Sequence, residues 1–221
     1  MGQFRRMATG LVAAGLLALV VGCAAPAYNY AADSADKAYF KVPASWQPVN
    51  PQVLAITQNS ELANSAAGPV GGPFAWSRAY AAQWNSSAGT LLTASSEPVV
   101  YASVQALAPQ LREALSFNFM RDLLFPVTSG ARQQAATAGS RLAGFHLYSS
   151  TVITATDGVR GINELYVYTV NGQSDAFDQT VLTNSATTKL YLLLVQCYEG
   201  CFVAHQAQIK TVVDSFTVRG S

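Results

Sequence analysis

Hydrophobic and polar residues alternate most clearly in the last third of the chain. Strand-like segments cover residues 145–156 and 162–170, an Asp-Gly pair at 157–158 follows the first, and an Asn-Gly pair at 171–172 follows the second. Both pairs are typical of the tight turn of a β-hairpin. A third strand is expected at 177–182, which extends the two hairpins into an antiparallel meander.

The next segment, residues 189–197, is apolar at both parities. A strand with this pattern is buried on both faces, so we expect it at the centre of the sheet. After Gly200, apolar residues recur at helical spacing with His205 in the gap, and they predict a helix that packs on the sheet: Phe202, Ile209, Val212, Val213 and Phe216. A last short strand is expected within 215–221.

The preceding part of the chain mixes both periods. Strands are predicted at 37–46 and 99–104, and a short helix is predicted from Pro51, which follows an asparagine suited to cap it. Apolar residues at three- and four-residue spacing predict an amphipathic helix over 109–125. An alanine-rich segment at 131–144 predicts another short helix. Strands with helices covering their faces indicate an α+β fold.

An aromatic segment, residues 74–84, fits two interpretations. Its period favours a strand, although Trp76, Tyr80 and Trp84 also fit one side of a helix. Aromatic rings of this kind most often pack in a core. The alternative is that these three rings line a pocket for a small apolar ligand.

The N-terminal segment predicts export. Arg5 and Arg6 precede an apolar stretch at 11–21, which is typical of a signal peptide, here assigned to residues 1–22. The stretch ends in Val-Val-Gly followed by Cys23, which resembles the lipobox of bacterial lipoproteins. The resemblance implies cleavage before Cys23 and a diacylglycerol on its sulfur, which would anchor the protein in the cell membrane, facing the extracytoplasmic side.

An uncleaved membrane helix over residues 7–27 is the alternative, because this stretch is close to the length that a bilayer requires. The following residues are small and polar, so we predict a flexible tether over 23–36. One globular domain is then expected over 37–221.

The charge balance gives no support to nucleic-acid binding. Loss of the segment with Arg5 and Arg6 would change the formal net charge from +1 to −1, and no long run of either sign remains. Nucleic-acid binding depends on a basic stripe. The chain also has no phosphate-binding glycine motif, so we expect no cofactor.

Cys197, Cys201 and His205 are spaced C-x₃-C-x₃-H. Such residues could bind zinc if the whole stretch were helical, and a redox pair is a further possibility. Once Cys23 is lipidated, however, an even pair of cysteines remains in an exported protein, where disulfides persist. We therefore predict a disulfide between Cys197 and Cys201 and no metal site.

No set of residues predicts catalysis. His146 and His205 lie on different predicted elements, and no serine lies in a nucleophile-elbow motif. Asp175 and Asp178 are adjacent to a predicted turn, where solvated carboxylates are usual. A hydrolase is therefore the least favoured class, and no catalytic residue is assigned.

The segments KVPASW (41–46) and IKTVVDSFTV (209–218) frame a hairpin-rich meander and an amphipathic helix. In this arrangement residues 37–218 resemble the PsbP-like superfamily and, within it, the actinobacterial LpqN-type lipoproteins. The resemblance implies an α+β fold in which helices sandwich an antiparallel sheet. It also implies a non-enzymatic interaction or assembly module that binds an envelope protein, with a small apolar ligand carrier as the alternative.

The lipid anchor can be tested by fractionation. Changing Cys23 to Ala removes the only sulfur that the lipobox offers, so the protein should move from the detergent-extracted membrane fraction to the soluble fraction. Immunoblotting of both fractions measures the change. An unchanged partition would support the membrane helix instead.

Overall fold

The computed structural model describes residues 26–56, 58, 71–83, 95–170 and 172–219. Within these ranges the chain forms ten strands: β1 (Tyr28–Asp33), β2 (Ala38–Pro43), β3 (Gln47–Pro48), β4 (Gly71–Ala81), β5 (Val99–Leu107), β6 (Ala143–Thr154), β7 (Arg160–Val170), β8 (Gln173–Thr183), β9 (Lys189–Tyr198) and β10 (Thr217–Val218). The same ranges contain six helices: α1 (Pro51–Ile56), α2 (Pro109–Ala114), α3 (Phe117–Arg121), α4 (Ser129–Thr137), α5 (Glu199–Ala204) and α6 (Gln206–Asp214). None of these helices is long and apolar enough to cross a membrane.

The strands form two antiparallel sheets. Three strands pair in the order β1-β2-β10, and seven pair in the order β3-β4-β5-β9-β8-β7-β6. The predicted meander is confirmed, because β6 to β9 follow one another in both sequence and space. Its first turn matches the Asp-Gly signal, since Gly158 has a positive φ of 84° that most other residues avoid.

The centre of the large sheet is β9, as predicted. Every residue from Leu190 to Cys197 is buried. Leu192 and Leu194 belong to a cluster with residues of α1, α3 and the segment that follows α3. Leu193 and Val195 belong to a second cluster, with residues of the small sheet, α5 and α6. The large sheet therefore lies between two layers, which confirms the α+β class, although one of the layers contains strands as well as helices.

The flexible tether predicted over 23–36 is wrong for much of its length. Residues 28–33 form β1, which pairs with β2 from Tyr28 opposite Pro43 to Asp33 opposite Ala38. Asp36, in the following turn, forms an ion pair with Lys189 at the start of β9. The segment shows no strand pattern in its sequence, because only Ala31 of β1 is buried and backbone pairing with β2 holds the rest. Residues 23–25 lie outside the described ranges.

Two predicted helices are each divided. The helix expected over 109–125 breaks at Leu115, whose backbone is extended, and the Ser116 hydroxyl then accepts a hydrogen bond from the Phe119 N–H at 3.1 Å. This is a side-chain cap, so Ser116 begins a new helix, α3. The final helix begins at Glu199, before Gly200, and is divided into α5 and α6 at His205.

The packing of α6 on the sheet can be tested with one buried charge. Ile209 is buried against the sheet, so Ile209→Asp should lower the free energy of unfolding by at least about 3 kcal/mol, because the carboxylate would have no partner. Val203 on α5 is 72% exposed, and Val203→Asp is the control, with an expected change within about 0.5 kcal/mol. Urea unfolding of both variants provides the measurement. Equal stabilities would mean that α6 does not pack there.

Candidate functional site

The two cysteines of the C-x₃-C motif form a disulfide. Cys197 is the buried penultimate residue of β9, Cys201 lies in the first turn of α5, and their Cα atoms are 5.9 Å apart. Both sulfurs are therefore unavailable as thiolate ligands. Within the described ranges no group of three or more potential metal ligands lies together. The bond fixes the direction in which the chain leaves the central strand. Cys23, the predicted anchor, is outside the described ranges.

Trp76 and Tyr80 lie on β4, so this part of the aromatic segment is a strand, as its period predicted. Both rings meet the ring of Phe40 edge to face, with centroids 6.2 and 6.1 Å apart, and both pack against the cluster beneath the small sheet. These contacts are those of packing between two layers. Trp84, the third ring of the predicted pocket, is outside the described ranges.

The two histidines lie on different elements: His146 is in β6, and His205 is at the junction of α5 and α6. The His146 ring packs against Tyr148, with centroids 4.5 Å apart. The Nε2 atom of His205 lies 3.7 Å from a carboxylate oxygen of Glu97, which is longer than a hydrogen bond. Neither ring meets a serine in a nucleophile geometry among the hydrogen bonds of the described residues.

The interpretation of Asp175 and Asp178 as solvated loop residues is wrong. Both lie within β8, because the strand begins at Gln173, four residues earlier than expected. Asp178 accepts a hydrogen bond from the Asn163 side-chain amide at 2.7 Å. Burial raises the pKa of both carboxyl groups to about 6.

Several large apolar side chains are exposed on β6, which is one of the two outer strands of the seven-stranded sheet. One of its edges pairs with β7, and the other has no strand partner within the described ranges. Almost every residue of β6 is exposed, and its large side chains include Leu147, Tyr148 and Val152, with exposed fractions of 41%, 53% and 47%. An edge strand carries unpaired backbone N–H and C=O groups, so it can accept another strand.

Proteins usually protect such an edge with charged residues, proline or bulges. The twelve residues of β6, AGFHLYSSTVIT, contain no Asp, Glu, Lys, Arg or Pro. Register shifts occur between Ala143 and His146 and between Leu147 and Ser149, so the first half of β6 pairs irregularly with β7. The second half, 149–154, pairs with β7 without interruption. It therefore offers a regular, uncharged edge.

Side-chain bonds hold β6 in place on both faces of the sheet. The Ser150 hydroxyl donates to the buried carboxylate of Glu164 at 2.9 Å, and Arg121 of α3 pairs with the same carboxylate at 3.2 Å. On the other face the Tyr148 hydroxyl donates to Glu199 at 2.6 Å. The edge is thus a fixed part of the fold, because both layers brace it.

A cleft lies between α4 and the start of β6. It has two adjoining lobes: one of about 160 Å³ beside Arg132 and Phe145, called the inner lobe, and one of about 410 Å³ beside Leu124 and Phe125, called the outer lobe. Both lobes share four lining residues: Pro126, Ala135, Ser140 and Leu142. We call this space the α4 cleft. Asp122 fixes the backbone that follows Pro126. Its carboxylate accepts hydrogen bonds from the backbone N–H groups of Val127 and Thr128 at 2.7 Å each.

No protein-family model matches the chain, and neither does any curated protein. Solved structures do match it. The chain is similar to cyanobacterial PsbP from Synechocystis sp. PCC 6803, with 14% identity, a TM-score of 0.48, and coverage of 92% of this chain and 99% of that one.

Two other solved structures are similar to a lesser degree. The Ran-binding protein Mog1p of Saccharomyces cerevisiae has 7% identity and a TM-score of 0.43, with 87% and 96% coverage of this chain and that one. Protein PA94 of Pseudomonas aeruginosa, of unknown function, has 12% identity and a TM-score of 0.40, with 89% and 100% coverage. At these values the similarity concerns the general arrangement of elements.

The sequence analysis did not identify the β6 edge or the α4 cleft. The absence of charge from 143–154 was a usable signal for the edge, but the order of strands in the sheet was needed to place that segment on the outside. Arg132, which lines the cleft, gave no signal, because a single arginine on an alanine-rich helix is usually solvated.

The raised pKa of Asp178 has a consequence for stability. An unfolded aspartate titrates near 4, so the folded protein binds this proton more tightly and stability falls as pH rises from about 4 to about 6. Asp178→Asn removes the charge and keeps an acceptor for Asn163. The variant should therefore be more stable than the wild type at pH 8, by on the order of 1 to 2 kcal/mol, and no more stable at pH 4.

Denaturant unfolding at both pH values measures this difference. Glu113→Gln, a change at an exposed residue of α2, is the control and should leave the pH dependence unaltered. If the free energies of unfolding of Asp178→Asn and the wild type differ by the same amount at pH 4 and pH 8, burial of Asp178 is not the cause of its raised pKa.

Proposed function

We propose that this protein is a lipid-anchored, extracytoplasmic interaction module of the cell envelope, without catalytic activity of its own. Cys23 is the proposed anchor, and the finer assignment to the LpqN-type lipoproteins belongs to the same proposal. The observation that carries the interaction role is the β6 edge, which is exposed, uncharged and free of proline over twelve residues. A module with such an edge binds a polypeptide through its backbone.

The proposed partner is an extended segment of another envelope protein, which adds a strand beside β6. Its main-chain groups would pair with those of the regular half, 149–154, and its side chains would alternate between the two faces of the sheet. Val152 and Leu147 offer apolar contacts to such a segment. The backbone bonds supply affinity, whereas these side chains supply the preference for one sequence over another.

Bracing of the edge supports this role. Glu164, Ser150 and Arg121 hold β6 on one face, and Tyr148 holds it on the other through Glu199. A partner strand would therefore meet a surface that is already in its binding geometry, so little conformational entropy is lost on binding.

A charge placed on the edge tests the proposal. A photo-crosslinking residue is introduced at the exposed Thr151 of the full-length anchored protein, and crosslinking is carried out in its own envelope. Val152→Lys should lower the yield of the crosslinked product at least about fivefold, because an edge lysine opposes strand pairing. Mass spectrometry of the product identifies the partner segment.

The matched control is Val203→Lys on α5, which introduces the same charge at an exposed valine. It should crosslink like the protein without either change. Equal yields from the two lysine variants would contradict binding at β6. A product made only of two copies of this chain would replace the heterologous partner with self-pairing.

A further inference from the structure

The α4 cleft has an uneven distribution of polar groups. The walls of the outer lobe include Leu124, Phe125 and Leu142, and the inner lobe adds Phe145 and Arg132. No aspartate or glutamate lines either lobe. Both lobes therefore combine apolar walls with neutral polar groups, among them Gln134 and Ser140, and Arg132 is the one charged residue in the described lining.

Three alanines leave much of this space open beside α4, and Gln134 and Arg132 also line it. Ala131, Ala135 and Ala138 line the outer lobe, and no residue of α4 is buried. Larger apolar residues at these positions would have filled the gap between the helix and β6. A volume of about 410 Å³ lies within the range of sites that bind small molecules.

Arg132 has no anionic partner among the described residues. Its Nε–H is buried and makes no hydrogen bond there, and its guanidinium lies 4.3 Å from the centre of the Phe145 ring. Stacking on a ring leaves the in-plane N–H donors of arginine available. Because Arg132 lines the inner lobe, a ligand oxygen there would accept hydrogen bonds from the terminal N–H groups of the guanidinium.

We propose that the α4 cleft binds a small amphiphile with a carboxylate head group, such as a medium-chain fatty acid. The carboxylate lies in the inner lobe and accepts hydrogen bonds from Arg132. The hydrocarbon chain lies in the outer lobe between α4 and the apolar residues Leu124 and Leu142. Charge complementarity selects the carboxylate, because the lining supplies one cation and no acid.

This inference goes beyond the proposed function and is independent of it. It concerns α4 and not the free edge of β6, and it requires no partner protein. It also gives the carrier alternative a different location from the aromatic rings Trp76 and Tyr80. The soluble fraction of the Cys23→Ala protein therefore suffices for the test, provided that the variant retains the circular dichroism of the anchored form.

The test uses decanoate as the probe, with decanol as an uncharged ligand of the same chain length. Isothermal titration calorimetry measures affinity, and NMR shifts of the Ala135 and Phe145 amides report the location. Decanoate should bind more tightly than decanol. Arg132→Gln should weaken decanoate binding about tenfold and change decanol binding less than twofold, because it removes a charge-assisted hydrogen bond.

Two further variants make the result decisive. Arg141→Gln, at an exposed arginine outside the cleft, is the matched control and should bind decanoate like the wild type. Ala135→Phe should fill the outer lobe and abolish binding of both probes without loss of the fold. The proposal is overturned if the wild type does not bind decanoate, or if Arg132→Gln and Arg141→Gln bind it equally well.

Discussion

The whole fold depends on the burial of β9 on both of its faces. Its side chains alternate between two apolar clusters, so neither covering layer can be removed without exposing one row of them. Full burial of one large apolar side chain stabilises a protein by about 1.5 to 3 kcal/mol, and β9 contributes several to each side. The two layers are therefore energetically linked through one strand. The disulfide at the end of that strand carries the same constraint into α5.

Local signals in the sequence were sufficient for much of this arrangement. The apolar run at 189–197 predicted a central strand, and the Asp-Gly and Asn-Gly pairs predicted the hairpins on either side of β7. These features act over a few residues, so they can be recognised without the fold. By contrast, β1 is held by backbone pairing with β2, and the break before Ser116 depends on a single cap. Neither leaves a periodic pattern.

The candidate sites were harder to predict because they depend on strand order and on empty space. The cysteine pair was accessible through the number of cysteines and the expected compartment. The positions of Asp178 and β6 were not, since burial of the first and exposure of the second are set by which strands are neighbours. Arg132 acquires its significance only from the cleft beside it. Periodicity describes the faces of an element, whereas these features lie between elements.

If Cys23 carries the proposed lipid, the early start of β1 limits how far the domain can move from the membrane. Five residue steps separate Cys23 from Tyr28, and an extended chain spans at most about 3.5 Å per residue, so a lipid anchor at Cys23 would place the first strand within about 18 Å of the bilayer. This linker is shorter than the diameter of a typical small domain. The domain would stay close to the lipid head groups. It would therefore meet only molecules that lie in or on the same membrane.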